Sequence, residues 1–280
     1  MRIGRLHLRL LPARRARSAP QAAAELVFRC NVCGAGQRQR VRDLERERAS
    51  CDHCGSNVRF RGLMAALSER LFGHVAPIVE LPATKGLHGI GMTDWTGYAD
   101  LLAHKFSYTN SYLHKAPVLD VLAPDAAHLG RYDFVVSSDV FEHVAAPVQR
   151  AFDNVYRMLK PGGAFVFTVP YLASARTVEH FGEMASYRIE ETAQGRQLRA
   201  THHDGRETVH RDLVFHGGDG QTLEMRVFGL EDLVLHLESA GFRDIRVHDR
   251  PCYDYGILHD GPDSLPISAV REPMPARPAA

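Results

Sequence analysis

The chain has 280 residues, room for one α/β domain of ordinary size plus a small accessory module, and its 45% hydrophobic content suits a packed core. Lys and Arg number 34 against 33 acids, a formal net charge of +1, so the whole-molecule field gives no reason to expect nucleic-acid or membrane binding. No segment approaches the roughly 18 to 20 apolar residues of a membrane span, and arginines interrupt every candidate secretory core, so a soluble, cytoplasmic protein is expected.

Residues 1–24 contain six Arg (positions 2, 5, 9, 14, 15 and 17) and no acid, among Pro and Ala. They read as a disordered basic arm, although an organelle transit peptide or a misassigned start codon has the same composition. Two cysteine pairs follow within residues 25–58: Cys30-Asn-Val-Cys33 and Cys51-Asp-His-Cys54, separated by 17 residues. This is zinc-ribbon spacing, with Gly34 and Gly55 placed where each knuckle must turn sharply. Disulfides are disfavoured in a reducing cytosol. Four thiolates leave no open coordination position, so the expected zinc is structural and supplies stability that so small a module lacks. Residues 29–61 carry eight Arg against four acids, but Arg42-Asp43-Leu44-Glu45-Arg46-Glu47-Arg48 interleaves the signs and reads as self-neutralising surface more than as a phosphate track. Cys252 stands alone and reads as a structural or incidental thiol.

Residues 59–84 are a connecting helix and linker: Phe60, Leu63, Met64, Leu67 and Leu71 recur at helical spacing, and Gly73 ends the run. From residue 85 to 255 strands and helices alternate. Leu87–Met92 reads as a strand running into a Gly turn, Tyr98–Phe106 as a helix, Tyr108–Leu113 and Val118–Leu122 as further strands, and Tyr132–Ser137 as a fourth, apolar strand. A helix marked by Val148, Phe152, Val155 and Leu159 stops at Lys160-Pro161-Gly162-Gly163, before a strand over Ala164–Val169. The pattern predicts an α/β fold, a mostly parallel sheet with helices on both faces, binding its ligand at the carboxyl ends of the strands. Residues 171–228 form a long insertion in which Asp204-Gly205 reads as a hairpin turn. The last stretch, 256–280, has five Pro after Gly261 and reads as a tail.

The segment Tyr132-Asp133-Phe134-Val135-Val136-Ser137-Ser138-Asp139-Val140-Phe141-Glu142-His143-Val144, followed by Arg157-Met158-Leu159-Lys160-Pro161-Gly162-Gly163 and a strand, resembles class I S-adenosylmethionine-dependent methyltransferases of the type 11 group, which have a Rossmann-like fold. The resemblance covers roughly residues 85–171 and resumes at Gly229–Val247, and the cysteine module resembles the zinc ribbon that some members carry. It implies S-adenosylmethionine as cofactor, with Gly89 and Gly91 in the turn that lets backbone approach it and Asp94 just after. Asn110-Ser111-Tyr112 stands where the family has a ribose-binding acid, so Ser111 is the candidate there. The resemblance also implies that Asp120 accepts from the adenine amino group and that Ser137, Ser138 and Asp139 line the cofactor.

Methyl transfer is an in-line displacement, so the protein's part is positioning in a dry pocket. A hydroxyl acceptor would also need a base, for which His143, His180 and His216 are the candidates. The expected acceptor is a small molecule, lipid headgroup or glycan. Two alternatives stay open: an RNA methyltransferase gripping RNA through the ribbon, and a non-catalytic cofactor-binding or scaffold protein.

Overall fold

The computed structural model describes residues 24–216 and 222–272, with backbone only at His216. The basic arm expected over 1–24 therefore lies almost wholly outside the described residues, as does 273–280.

The chain opens with an antiparallel hairpin, β1 (Glu25–Arg29) and β2 (Gly36–Arg40), in the register Glu25↔Arg40. Cys30 and Cys33 sit on its turn, and Gly34 and Gly55 after the two knuckles both adopt left-handed φ, +80° and +77°, as tight knuckles demand of glycine. Helix α1 (Val58–Phe72) follows. Its side-chain cap is Asn57, whose oxygen accepts from Phe60 N at 2.8 Å, and Gly73 ends it at φ +77°.

The larger body comprises β3 (Thr84–Met92), α2 (Thr96–Lys105), β4 (Phe106–Ser111), β5 (Tyr132–Ser138), α3 (Gln149–Met158) and β6 (Leu159–Thr168). An insertion of short strands comes next: β7 (Tyr171–Leu172), β8 (Val178–Glu179), β9 (Ser186–Thr192), β10 (Gly195–Thr201), β11 (Glu207–His210), β12 (Phe215–His216), β13 (Thr222–Leu223) and β14 (Arg226–Gly229). Helix α4 (Leu230–Ala240), β15 (Phe242–Val247) and β16 (Ile267–Arg271) complete the described chain. The central sheet has six strands in the order β15-β16-β6-β5-β3-β4. Strands β4, β3, β5 and β6 are mutually parallel, and β16 runs antiparallel between β6 and β15. The fold is therefore a Rossmann-like α/β sheet, mostly parallel.

Alternation along β5 sorts the two faces. Phe134 and Val136 pack with Leu63 and Leu67 of α1 and Tyr98 and Leu102 of α2, while Val135 packs with Phe152 of α3 and Leu233 of α4. Helices thus cover both faces, as a buried parallel sheet requires. The Asp204-Gly205 turn joins β10 to β11, with Gly205 at φ +83°.

Three expectations change. The third strand expected over Val118–Leu122 shrinks to a single bridge, Tyr112↔Val118, because Asp120 Oδ1 accepts from Leu122 N at 2.8 Å and folds the chain into a turn. Gly89 and Gly91 lie inside β3 and not in a turn after it; the turn is Thr93-Asp94, with Thr93 at φ +57°. The segment 256–280 is not wholly a tail, since β16 lies inside the sheet with Ile267, Ser268 and Ala269 fully buried. Pro266 directly precedes it, where its missing N–H costs the ladder no bond while its carbonyl accepts from His248 N at 2.9 Å.

Candidate active site and cysteine cluster

Cys30, Cys33, Cys51 and Cys54 converge so that their ligand atoms all lie within 4.8 Å of one another. Sulfur separations are 3.8 Å for Cys30–Cys54 and 3.7 Å for Cys33–Cys51. A tetrahedron with Zn–S bonds of about 2.3 Å has edges of about 3.8 Å, so this donor set fits a zinc ion. A second observation agrees. Arg61 is fully buried, yet its guanidinium donates to neutral oxygens: Ser56 O at 2.9 Å, Ser50 Oγ at 2.9 Å and Gly256 O at 3.0 Å. A buried cation needs a counter-charge, which thiolates around a divalent metal would provide, their four negative charges exceeding the metal's two.

At the carboxyl edge of the sheet, Met92 at the end of β3 pairs with Ser111 of β4 on one side and Ser137 of β5 on the other, and Ser138 pairs with Thr168 of β6. The sequence candidates Asp94, Ser111, Ser137, Ser138 and Asp139 are gathered there. Asp94 is buried and accepts from Tyr98 Oη at 2.7 Å and from Tyr108 Oη. Burial pushes its carboxyl from the ordinary 3.8 up to about 6, against the pull of the two tyrosines. Ser111 Oγ donates to Gly91 O at 2.6 Å. The α-carbons of Gly89 and Gly91 face the chain's own groups: a Cβ on Gly89 would meet the Phe134 ring at 2.2 Å, and one on Gly91 would meet Asp94 Oδ2 at 1.8 Å. These glycines make room for side chains of this protein, which corrects the expectation of an open glycine turn. The Asp120 side chain is likewise engaged in its own turn.

Asp139 holds a left-handed backbone, φ +51°, a strained state for a non-glycine that persists only where surroundings over-determine it. Here they do. Its amide donates to Thr168 O at 3.0 Å, Oδ1 accepts from Thr168 Oγ1 and Arg46 Nη2 at 2.8 Å each, and Oδ2 accepts from Arg46 Nη1 at 2.9 Å with Arg59 Nε at 3.3 Å. Burial works to raise this carboxyl, but the Arg46 and Arg59 charges prevail and hold it below its ordinary value. Arg46 follows β2 in the cysteine module and Arg59 opens α1, so a bidentate pair ties the module to the sheet edge. The Arg/Glu run forms the local pairs expected of it, such as Arg48–Asp43 at 2.8 Å, but this long-range role of Arg46 left no mark in the sequence.

Two of the candidate histidines meet at the insertion. His143 Nδ1 donates to Leu223 O at 2.8 Å, which fixes the tautomer and leaves Nε2 as the acceptor nitrogen, 3.6 Å from Glu142 Oε1. His180 Nε2 donates to Glu224 Oε1 at 2.8 Å, beside Leu223. The His216 side chain lies outside the described residues. Arg226, fully buried, donates to Phe141 O at 2.8 Å, to Val144 O and to Glu179 Oε1 at 2.7 Å, and so holds the loop that carries His143. Glu142 is buried, and burial beside the Asp139 charge pushes its carboxyl well above the ordinary range.

Among the described residues, Ser137 Oγ and Glu142 Oε2 are buried near this edge without a hydrogen-bond partner. Buried polar atoms in that state need a partner, and a ligand seated on the strand ends can supply one, so these residues fit a polar nucleoside. Two cavities lie close by. One, about 250 Å³, opens beside Thr168 and is lined by Arg46, Arg59 and Ser264. The other, about 660 Å³, runs along the β3/β4 flank and brings Gly89 and Ser111 together with Val118 and Tyr132.

No curated protein matches the chain. Among solved structures it is similar to the citrinin polyketide synthase CMeT domain (11% identity, 67% of this chain and 47% of that one, TM-score 0.37). It is also similar to the Burkholderia thailandensis 1,6-didemethyltoxoflavin-N1-methyltransferase (14% identity, 75% and 78%, TM-score 0.39). A third is phosphoethanolamine N-methyltransferase 2 of Haemonchus contortus (14% identity, 69% and 50%, TM-score 0.39). The chain thus spans about half the length of the first and third of these. A family model described as a methyltransferase domain matches residues 103–246, more than half of the chain, and the chain belongs to that methyltransferase family.

Proposed function

We propose that this enzyme transfers a methyl group from S-adenosylmethionine to a small-molecule, lipid-headgroup or glycan acceptor in the cytoplasm, with a structural zinc ion held by Cys30, Cys33, Cys51 and Cys54. The observation that carries the reading is the gathering of Asp94, Ser111, Ser137, Ser138 and Asp139 at the carboxyl ends of three adjacent parallel strands in a methyltransferase-family chain, the place where open α/β sheets take their ligands. The cofactor supplies an electrophilic methyl group when bound. Ser137 would offer its unpartnered hydroxyl to the bound nucleoside. His143, oriented by Leu223 O and by the loop that Arg226 holds, would accept a proton at Nε2 from a hydroxyl acceptor; an amine or enolate needs no such help. His180, already paired with Glu224, is the weaker candidate for a base.

The charge pattern favours a discrete acceptor over RNA. The module's arginines face acids: Arg38–Glu25 at 3.1 Å, Arg48–Asp43 at 2.8 Å and Arg59–Glu47 at 2.8 Å, which leaves little continuous phosphate track. The test is a tritiated-methyl transfer assay against fractionated host lysate. Label in small metabolites, lipid or polysaccharide is the expected result, label in RNA would replace the acceptor assignment, and label in no fraction would overturn the reading.

A further inference from the structure

The geometry points to an anion subsite at the carboxyl edge of the sheet, formed by Arg46 and Arg59 and held closed by Glu47, which takes a carboxylate or phosphate group of the ligand. Four charges alternate across it. On the inner side Asp139, with its side chain only 18% exposed, is fixed by both guanidiniums and by Thr168. On the outer side Glu47, with its side chain 54% exposed, is bonded by Arg59 Nε at 3.0 Å and Nη2 at 2.8 Å and by Arg46 Nη1.

These two acids are not equivalent. An exposed carboxylate exchanges readily with a competing anion because water screens its pair, whereas removing the buried one would strand two cations. Glu47 is therefore the displaceable partner and Asp139 the permanent one. The arginines are themselves half-sequestered, Arg59 at 14% and Arg46 at 28% side-chain exposure, and both line the cavity of about 250 Å³ beside Thr168. Asp260 and Asp263 stand on that cavity's exposed wall. They would repel a polyanion tracking across the surface but leave space for one compact anionic group between the guanidiniums. The cavity lies below the roughly 300–1,000 Å³ of ordinary ligand pockets, so it suits one end of a ligand.

Two ligands could bring such a group: the amino-acid end of the cofactor, or an acidic acceptor. Only this choice rests on the methyl-transfer reading. The test titrates full-length, zinc-loaded protein and its Glu47→Gln and Arg59→Gln variants by calorimetry with S-adenosylhomocysteine, with methylthioadenosine, which lacks the amino-acid end, and with inorganic phosphate. Arg59→Gln should weaken an anionic probe about ten-fold or more, the usual loss when one partner of a charge-assisted pair is removed. Glu47→Gln should tighten the same probe several-fold, and methylthioadenosine should be unaffected by either change. A change confined to S-adenosylhomocysteine assigns the subsite to the cofactor's carboxylate, and a change confined to phosphate assigns it to the acceptor. Equal affinities in all three proteins, or no binding of either anion by any of them, overturns the subsite. Failure of wild-type protein to bind S-adenosylhomocysteine while phosphate binding still responds to both variants counts against the cofactor reading alone.

Discussion

Asp94 and the glycine beside it show how tightly single positions are set at the strand ends. Gly91 has no side chain because the space is filled by the Asp94 carboxylate and Tyr108, and the Phe134 ring lies over Gly89 in the same way. Gly89→Ala should therefore destabilise the fold by about 1–3 kcal/mol or more, the usual range for overpacking, read as a lowered urea midpoint with unchanged slope. A loss within experimental error would mean that Phe134 moves freely, against its stacked contact with Tyr108 at 5.8 Å. Asp94 makes a pH prediction. Its folded pKa of about 6 lies above the ordinary 3.8, so between those values the folded state holds more protons than the unfolded one, and stability falls as pH rises through that window. About two pH units at roughly 1.4 kcal/mol each gives a loss on the order of 3 kcal/mol. Asp94→Asn should flatten that slope between pH 4 and 7 in urea melts; an identical slope in the variant would show that the carboxyl titrates normally.

Elements were legible where local rules and tertiary packing agree. Helix α1 announced itself through its apolar period and through Gly73 behind it, while its Asn57 cap emerged only in the structure; β5 did so through an apolar run too short for a helix. Strand β16 was hidden because Ile267-Ser268-Ala269-Val270 is brief, has a serine inside it and lies between Pro266 and Pro273, so composition outweighed pattern. The strand expected near Val118 failed for the opposite reason: propensity favoured it, but the Asp120 side chain captured the backbone. At the sheet edge, the placement of the two serines that end β5 could be read from their motif. Arg46 could not, since its partner Asp139 is 93 residues away and its local setting among Glu45, Glu47 and Arg48 looks like ordinary solvated surface. The status of β16 can be checked by truncation. Ending the chain after Glu272 should leave thermal stability near that of the whole protein, whereas ending it after Pro266 strips the ladders from β6 and β15 and exposes two strand edges, so insoluble or unfolded protein is expected. Soluble protein with an unchanged melting curve from the shorter chain would place β16 outside the core.

At the scale of the molecule, the cysteine module is built into the α/β body and is not a bead tethered to it. Arg61 reaches Gly256 O at 3.0 Å, Arg46 reaches Asp139 and Ser264 O, and the Phe28 ring packs against Gly256, where a Cβ would meet it at 2.6 Å. Helix α1 leaves the second knuckle and runs directly onto the sheet, its Leu63 and Leu67 sharing a core with Phe134 and Val166. Loss of a metal bound there would let the thiolates take up protons, which removes the counter-charge of a buried guanidinium at the root of a helix the sheet depends on. If the cluster holds zinc, a strong chelator should release about one equivalent per chain and lower the melting temperature of the whole protein in a single transition. A loss of several kcal/mol corresponds to a shift on the order of 10 °C, since each kcal/mol moves the midpoint by roughly 2–4 °C in domains of 150–250 residues. Calorimetry with a colorimetric metal indicator reads both quantities. An independent module would instead give two transitions, the upper one unmoved by chelation, and its arginines could then have no fixed place at the sheet edge.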